Sequence, residues 1–221
     1  MRMAAASALA TAGIMICGAP ALAQAPVALV EDVRGNTVGV EFMDYVSAGK
    51  VIKLRPQDSI VLGYLTSCWH ETITGGIVTV GSEQSDVQGG KVARRKVKCD
   101  GGRIALTAGQ ANQSAGTSFR SLDRESPLTL YGLSPVVEAT GGAALLIVRT
   151  DRHGEYHVAK LPKPGAQRSF LDFAVTAKTL VEGGTYRASI GSRQIIFKID
   201  PSAKARGVPI ISRLLRFQPA S

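Results

Sequence analysis

From Val27 to Leu106, apolar and polar residues either alternate with a period of two or form brief apolar runs, and both patterns predict short strands. Val38, Val40 and Phe42 alternate with Gly39, Glu41 and Met43, and Ile52 and Leu54 alternate with Lys53 and Arg55. Such spacing turns one face of a strand toward a core. Ser59 to Leu65 is almost wholly apolar, which predicts a strand covered on both faces. Glu71 to Val80 and Lys91 to Cys99 continue the pattern, with breaks at Gly75-Gly76, Gly89-Gly90 and Gly101-Gly102. No stretch here sustains a 3.6-residue period. Thr107 to Ser118 is small, polar and Gln-bearing; it predicts a helical turn or two before a strand through Phe119.

Beyond a polar stretch ending at Pro127, the pattern resumes. Leu128 to Tyr131 and Pro135 to Glu138 predict one strand broken by the Gly-Leu-Ser-Pro bend. Ala143 to Arg149 and Tyr156 to Leu161 flank Asp151-Arg152-His153-Gly154, a hairpin signal. Ser169 to Val175, Thr185 to Ile190 and Gln194 to Ile199 complete a set of strands at the spacing of a small β-sandwich. The segment 201–221 is open between a last strand and a short helix. The expected fold class is all-β, in two units, 24–120 and 127–221, joined by a linker at 121–126. At 221 residues, with 45% hydrophobic and 19% charged, the chain has the apolar content to bury such cores.

The N-terminus carries a different signal. Arg2 precedes a small and apolar run from Met3 to Gly18, Pro20 breaks it, and Ala21-Leu22-Ala23 presents small residues where a signal peptidase reads them. Residues 1–23 are therefore expected to be a Sec-type signal peptide, and the mature protein periplasmic or secreted. An uncleaved anchor is the alternative. A lipoprotein, suggested by Cys17, is disfavoured by Ile16 before it. No later apolar stretch is long enough to span a bilayer. Cleavage would leave Cys68 and Cys99, an even pair in an oxidising compartment, which predicts a disulfide. The competing role is a Cys68 nucleophile with His70 on the same strand face, but no third orienting group or motif accompanies it.

The first unit resembles the FecR-like periplasmic β domain. Val30 to Gly35 reads Val-x-x-Val-x-Gly, and Leu54-Arg55-Pro56-Gln57-Asp58-Ser59-Ile60 and the Gly-punctuated strands follow. It departs in lacking an Asp-Gly turn between the later strands and in having two cysteines. The second unit resembles fibronectin-III or immunoglobulin-like sandwiches: Leu180-Val181-Glu182-Gly183-Gly184-Thr185-Tyr186-Arg187-Ala188 is similar to their tyrosine-corner stretch, in which the Tyr hydroxyl ties a loop to a strand. Membrane-spanning FecR-type proteins act in envelope signalling. Without an internal anchor, an accessory role is the expectation here.

Catalytic and metal signatures are sparse. The pattern Asp151-x-His153-x-Glu155-x-His157 would put all four side chains on one strand face, with the two histidines about 13 Å apart, too far for one ion unless Gly154 turns the chain. His70 and Glu71 are adjacent and so face opposite ways. Trp69 is expected to pack by the disulfide. There is no G-x-S-x-G elbow, H-E-x-x-H helix, P-loop or transpeptidase pattern. Asp44 and Asp58 could serve a glycosidase, but few aromatics offer a poor sugar cleft. No cofactor, metal site or catalytic residue is expected.

Charge supplies the remaining lead. Lys plus Arg number 26 against 17 Asp plus Glu, a formal +9. Residues 24–118 carry a net +1 and residues 119–221 a net +7. Two runs stand out: Arg94, Arg95, Lys96 and Lys98 in the middle of the chain, and Lys204, Arg206, Arg213 and Arg216 near its end. They are candidates for binding an anionic envelope polymer, a lipid surface or an envelope protein; a solvated positive surface is the plainer reading. Nucleic acid is not an expected partner, because the compartment is wrong and basic and aromatic residues do not interleave. The expectation is a non-enzymatic exported accessory or scaffold. A small hydrolase using Cys68 with His70, or His153 with His157, is the alternative, and a structural or adhesive surface protein is a third.

Overall fold

A computed structural model describes residues 25–35, 39–101, 127–139, 144–161 and 169–217. The expected signal peptide, the Thr107–Ser118 segment and the 121–126 linker lie outside these residues. Within them the chain is all-β, and the only helical turn is a 3-10 turn, Ile210–Ser212.

The first half forms a six-stranded sheet. Its strands are β1 (Pro26–Arg34), β2 (Tyr45–Ser47), β3 (Val51–Tyr64), β4 (Trp69–Thr79), β5 (Asp86–Gln88) and β6 (Lys91–Lys96). The order is β2-β1-β3-β4, and β5 and β6 both pair with β4. β3 runs through Pro56 because the ladder to β4 is interrupted between Leu54 and Ser59, where a missing donor costs nothing. Opposite that bulge, Gly75 and Gly76 bend β4, and Gly89-Gly90 turns β5 into β6. A Cβ on Gly90 would lie 2.1 Å from the Gly75 carbonyl oxygen, so the two bends cross with no room for side chains.

Alternation in this sheet serves two cores. Ala28, Val30, Ile60, Leu62, Tyr64 and Ile73 fill one. Leu29 and Leu65, on the opposite face, join Met43, Val136, Ile210, Ile211 and Leu214 in another. Coverage of both faces explains why Ser59–Leu65 reads as an apolar run. The strand expected over Val38–Met43 does not form in the part described. Residues 39–44 make a turn in which Gly39 (φ 93°) and Met43 (φ 69°) are left-handed, and the Asp44 carboxylate accepts the Glu41 N–H. Val40 and Met43 are buried, so the alternation recorded burial without a strand.

The second half is two sheets packed face to face. Strands β7 (Leu128–Gly132), β9 (Ala144–Arg149), β10 (Tyr156–Lys160), β12 (Thr185–Ile190) and β13 (Arg193–Lys204) form one, in the order β10-β9-β12-β13-β7. Strands β8 (Val136–Ala139), β11 (Ser169–Asp172) and β14 (Leu214–Arg216) form the other, in the order β11-β8-β14. Leu145, Ile147, Ala188, Phe197 and Ile199 of the larger sheet meet Val137, Leu215 and Phe173 between them. The 151–154 hairpin joins β9 to β10, and β14 pairs in parallel with β8. The chain end is thus both a 3-10 turn and a strand.

The halves are clasped by Glu31. Its buried carboxylate accepts the N–H groups of Ile210 and Ile211, each at 2.8 Å, and His70 Nε2 lies 3.5 Å away. Gly63 makes the space: a Cβ there would come within 2.4 Å of the Glu31 carboxylate and 2.6 Å of Ile211.

Candidate functional site

Beyond Lys96 the chain leaves β6 and folds back beside the start of β4. The Val97 N–H donates to the Cys68 carbonyl, and Cys68 and Cys99 are joined by a disulfide. Cys68 is therefore no resting nucleophile. Asp100 then reaches the other half, its carboxylate accepting the Thr129 N–H at 2.7 Å. Lys98, in the same segment, also reaches the other half. Its ammonium donates to Ser202 Oγ at 2.9 Å and lies 5.7 Å from the Tyr131 ring. Ser202 Oγ in turn donates to Asp200. An open cleft of about 650 Å³ results, lined by Lys96, Lys98, Tyr131, Asp200, Glu83 and the disulfide.

The electrostatics of this seam follow from those contacts. Hydrogen bonds from Ser202 hold Asp200 below the usual carboxylate range, against its own desolvation and with help from Lys98. Burial raises the Tyr131 hydroxyl above its ordinary value, and Asp200 and Asp100 add to the effect. Lys96 sits 4.8 Å above the Trp69 ring, which is half-buried against the first core. Trp69 is thus packed against that core, and the cation above it was not foreseen.

The structure sorts the eight candidate cations. Arg94 donates to Glu71 at 2.6 Å and to the Ser85 carbonyl at 2.6 Å. Glu71 is fully buried and also accepts the Ser85 N–H, while Ser85 Oγ bonds Tyr64, whose hydroxyl burial pushes up to about 12. Arg213 grips Asp172 through two hydrogen bonds of 2.6 and 2.9 Å, and donates to the Ser134 carbonyl. Arg216 bonds Glu138 at 3.1 Å and stacks 4.2 Å from Tyr45. These three arginines are paired with carboxylates of the fold. Arg95, Lys96, Lys98, Lys204 and Arg206 are exposed and have no carboxylate partner among the described residues. The Lys98–Ser202 contact brings the middle run to within two residues of Lys204.

The histidine candidates are placed elsewhere. His70 and Glu71 face opposite sides of β4, His70 toward Glu31 and Glu71 toward Arg94. Asp151 and Glu155 both grip Arg149. The Arg149 hydrogen bond lowers Asp151 to about 2. At Glu155 burial pushes upward, and the hydrogen bonds from Arg149 and Tyr186 outweigh it, leaving its pKa lowered. His153 is exposed in the hairpin; His157 packs edge-on against Phe173, its Nε2 3.7 Å from Glu155, beyond hydrogen-bond range. The four-residue pattern is thus an arginine clamp, and no group of three metal-ligating side chains gathers among the described residues. The Tyr186 hydroxyl accepts the Val181 N–H at 2.9 Å and donates to Glu155, tying loop to strand.

The carboxylates Glu31, Glu138 and Asp172 were missed from sequence, and for Glu71 the pairing with Arg94 was missed. The one signal available for Glu31 was a charge set within the apolar Val27–Val33 strand. Comparison with family models, curated proteins and solved structures finds no match to this chain.

Proposed function

We propose that the protein is an exported, non-enzymatic envelope accessory that docks on an anionic envelope polymer through the basic seam. The carrying observation is the Lys98–Ser202 contact, which places the middle basic run beside Lys204 while folding leaves Arg95, Lys96, Lys204 and Arg206 without carboxylates among the described residues. The export half of the reading rests on the Met3–Ala23 pattern together with the disulfide. A FecR-like first unit and an Ig-like or fibronectin-like second unit are part of the same proposal. The Gly-punctuated sheet, the two face-to-face sheets and the Tyr186 tie support it. The absence of a free thiol at Cys68 weighs against the hydrolase reading.

The test is binding to a soluble phosphate-rich envelope polymer across a salt series. Exposed charges are screened beyond about 8 Å at physiological ionic strength, so affinity should fall steeply as salt rises. Replacing Arg95, Lys96, Lys204 and Arg206 with Gln should weaken binding by on the order of tenfold or more with the fold intact. Salt-independent binding, or wild-type affinity in that variant, would remove the basis of the proposal.

A further inference from the structure

We infer that the outward face of the five-stranded sheet is a docking surface for an anionic phospholipid bilayer. This rests on the proposed envelope location but uses a surface other than the seam. Strand register places one row of side chains across the sheet: Tyr156 opposite Val148, Val148 opposite Arg187, and Arg187 opposite Ile196. The next row sets Val158 opposite Leu146. Their neighbours along each strand, such as Ile147, Ala188 and Phe197, are fully buried, so these rows face out. Tyr156 is 68% exposed, Val158 54%, Ile196 48% and Leu146 38%. Four of the nine large apolar side chains exposed among the described residues thus share one face. Strands about 4.8 Å apart spread them over roughly 14 Å.

The charges beside the apolar rows are positive; Asp200, the next outward residue of β13 after Lys198, belongs to the seam cleft, where Ser202 and Lys98 hold it. Lys160 lies opposite Ala144 beside the apolar rows, Arg187 within them, and Lys198 opposite Thr185 at their other end. No Asp or Glu occupies an outward position of β9, β10, β12 or β13 between Ala144 and Lys198. An apolar stripe with a cationic border matches a bilayer interface with anionic headgroups. Tyr156 suits it further, since a tyrosine ring sits well at headgroup level. A phosphate polymer would engage the cations and leave the apolar stripe in water. A second copy would set Lys160, Arg187 and Lys198 against the same cations. Strand addition at the β10 edge is hindered by the Lys178 ammonium, which lies 3.4 Å from the Val158 carbonyl.

The experiment sediments the exported protein with vesicles of phosphatidylglycerol and phosphatidylcholine, and with phosphatidylcholine alone, at physiological salt, with the seam variant run beside the wild type so that the seam cations are removed by substitution and this face keeps its own. The wild type should partition onto the anionic vesicles only. Tyr156→Ser with Val158→Ser and Ile196→Ser should weaken that partition by roughly tenfold. These side chains are exposed, so circular dichroism and the thermal midpoint should be unchanged. Should that variant misfold, Arg187→Gln with Lys198→Gln gives an independent reading and should weaken partition severalfold. The seam variant should keep vesicle binding, so wild-type affinity of that variant for the polymer would sink the seam proposal and leave this one standing. Equal binding to neutral vesicles, wild-type partition in the serine variant, or a wild-type dimer by light scattering that the serine variant converts to monomer would each overturn the inference.

Discussion

Glu31 and Lys98 each tie the first half of the chain to the second, under opposite physical conditions. The Glu31 carboxylate is buried, with Ile211 beside it at Gly63, and two backbone N–H groups from the chain end satisfy it. The Lys98 ammonium is exposed and makes one hydrogen bond to a hydroxyl. In a dry site, a lost partner leaves unsatisfied polar groups with nothing to replace it. At a wet seam, water replaces it. Charge buried in the fold is thus spent on architecture, and only charge the fold leaves in water can meet a partner. The basic chain end shows both uses within thirteen residues: Arg213 and Arg216 are occupied, Lys204 and Arg206 are not.

The largest effect should come from the one covalent tie, which borders the seam. Changing Cys68 or Cys99 to Ser opens a loop closed at a separation of 31 residues, expected to cost about 3–4 kcal/mol. Each single variant and the double should lose the same stability in denaturant titration, because all open one loop. A double variant markedly less stable than either single would show that the thiols contribute separately.

Second comes the clasp. Glu31→Ala removes the acceptor for two buried N–H groups, and about 2–3 kcal/mol should be lost. Because the site is dry, that loss should hardly change with salt. A loss below about 1 kcal/mol would mean that water enters and replaces the carboxylate.

What could be read in advance follows the range of the interactions. Thr185–Ile190 and the 151–154 hairpin were legible because alternation and turn chemistry are local, and β9 pairs with β10 and β12 with β13, each the next strand or hairpin partner in the chain. The Cys68–Cys99 bridge was legible because only two cysteines lie beyond the expected signal peptide. The chain end was ambiguous because β14 takes its register from β8, far back in the sequence. Val38–Met43 misled because a turn can bury Val40 and Met43 as well as a strand can. Which of the candidate cations the fold would pair was not legible. Whether an arginine meets a carboxylate depends on tertiary neighbours such as Asp172 and Glu138, which no spacing in the sequence announces.

The smallest effect should be at Lys98, and its size discriminates between the two kinds of tie. Lys98→Gln keeps a donor that can reach Ser202 and removes the charge near Asp200 and Tyr131. An exposed contact of this kind contributes roughly 0–1 kcal/mol, so the thermal midpoint should fall only slightly. What remains of the difference should shrink as salt rises, unlike the loss at Glu31. A double-mutant cycle with Ser202→Ala isolates the pair, and its coupling should stay below about 1 kcal/mol. A coupling as large as the Glu31 loss would mean that the seam is dry and closed in solution. Lys98 would then be architectural, like Arg213, and the seam would offer a partner one cation fewer.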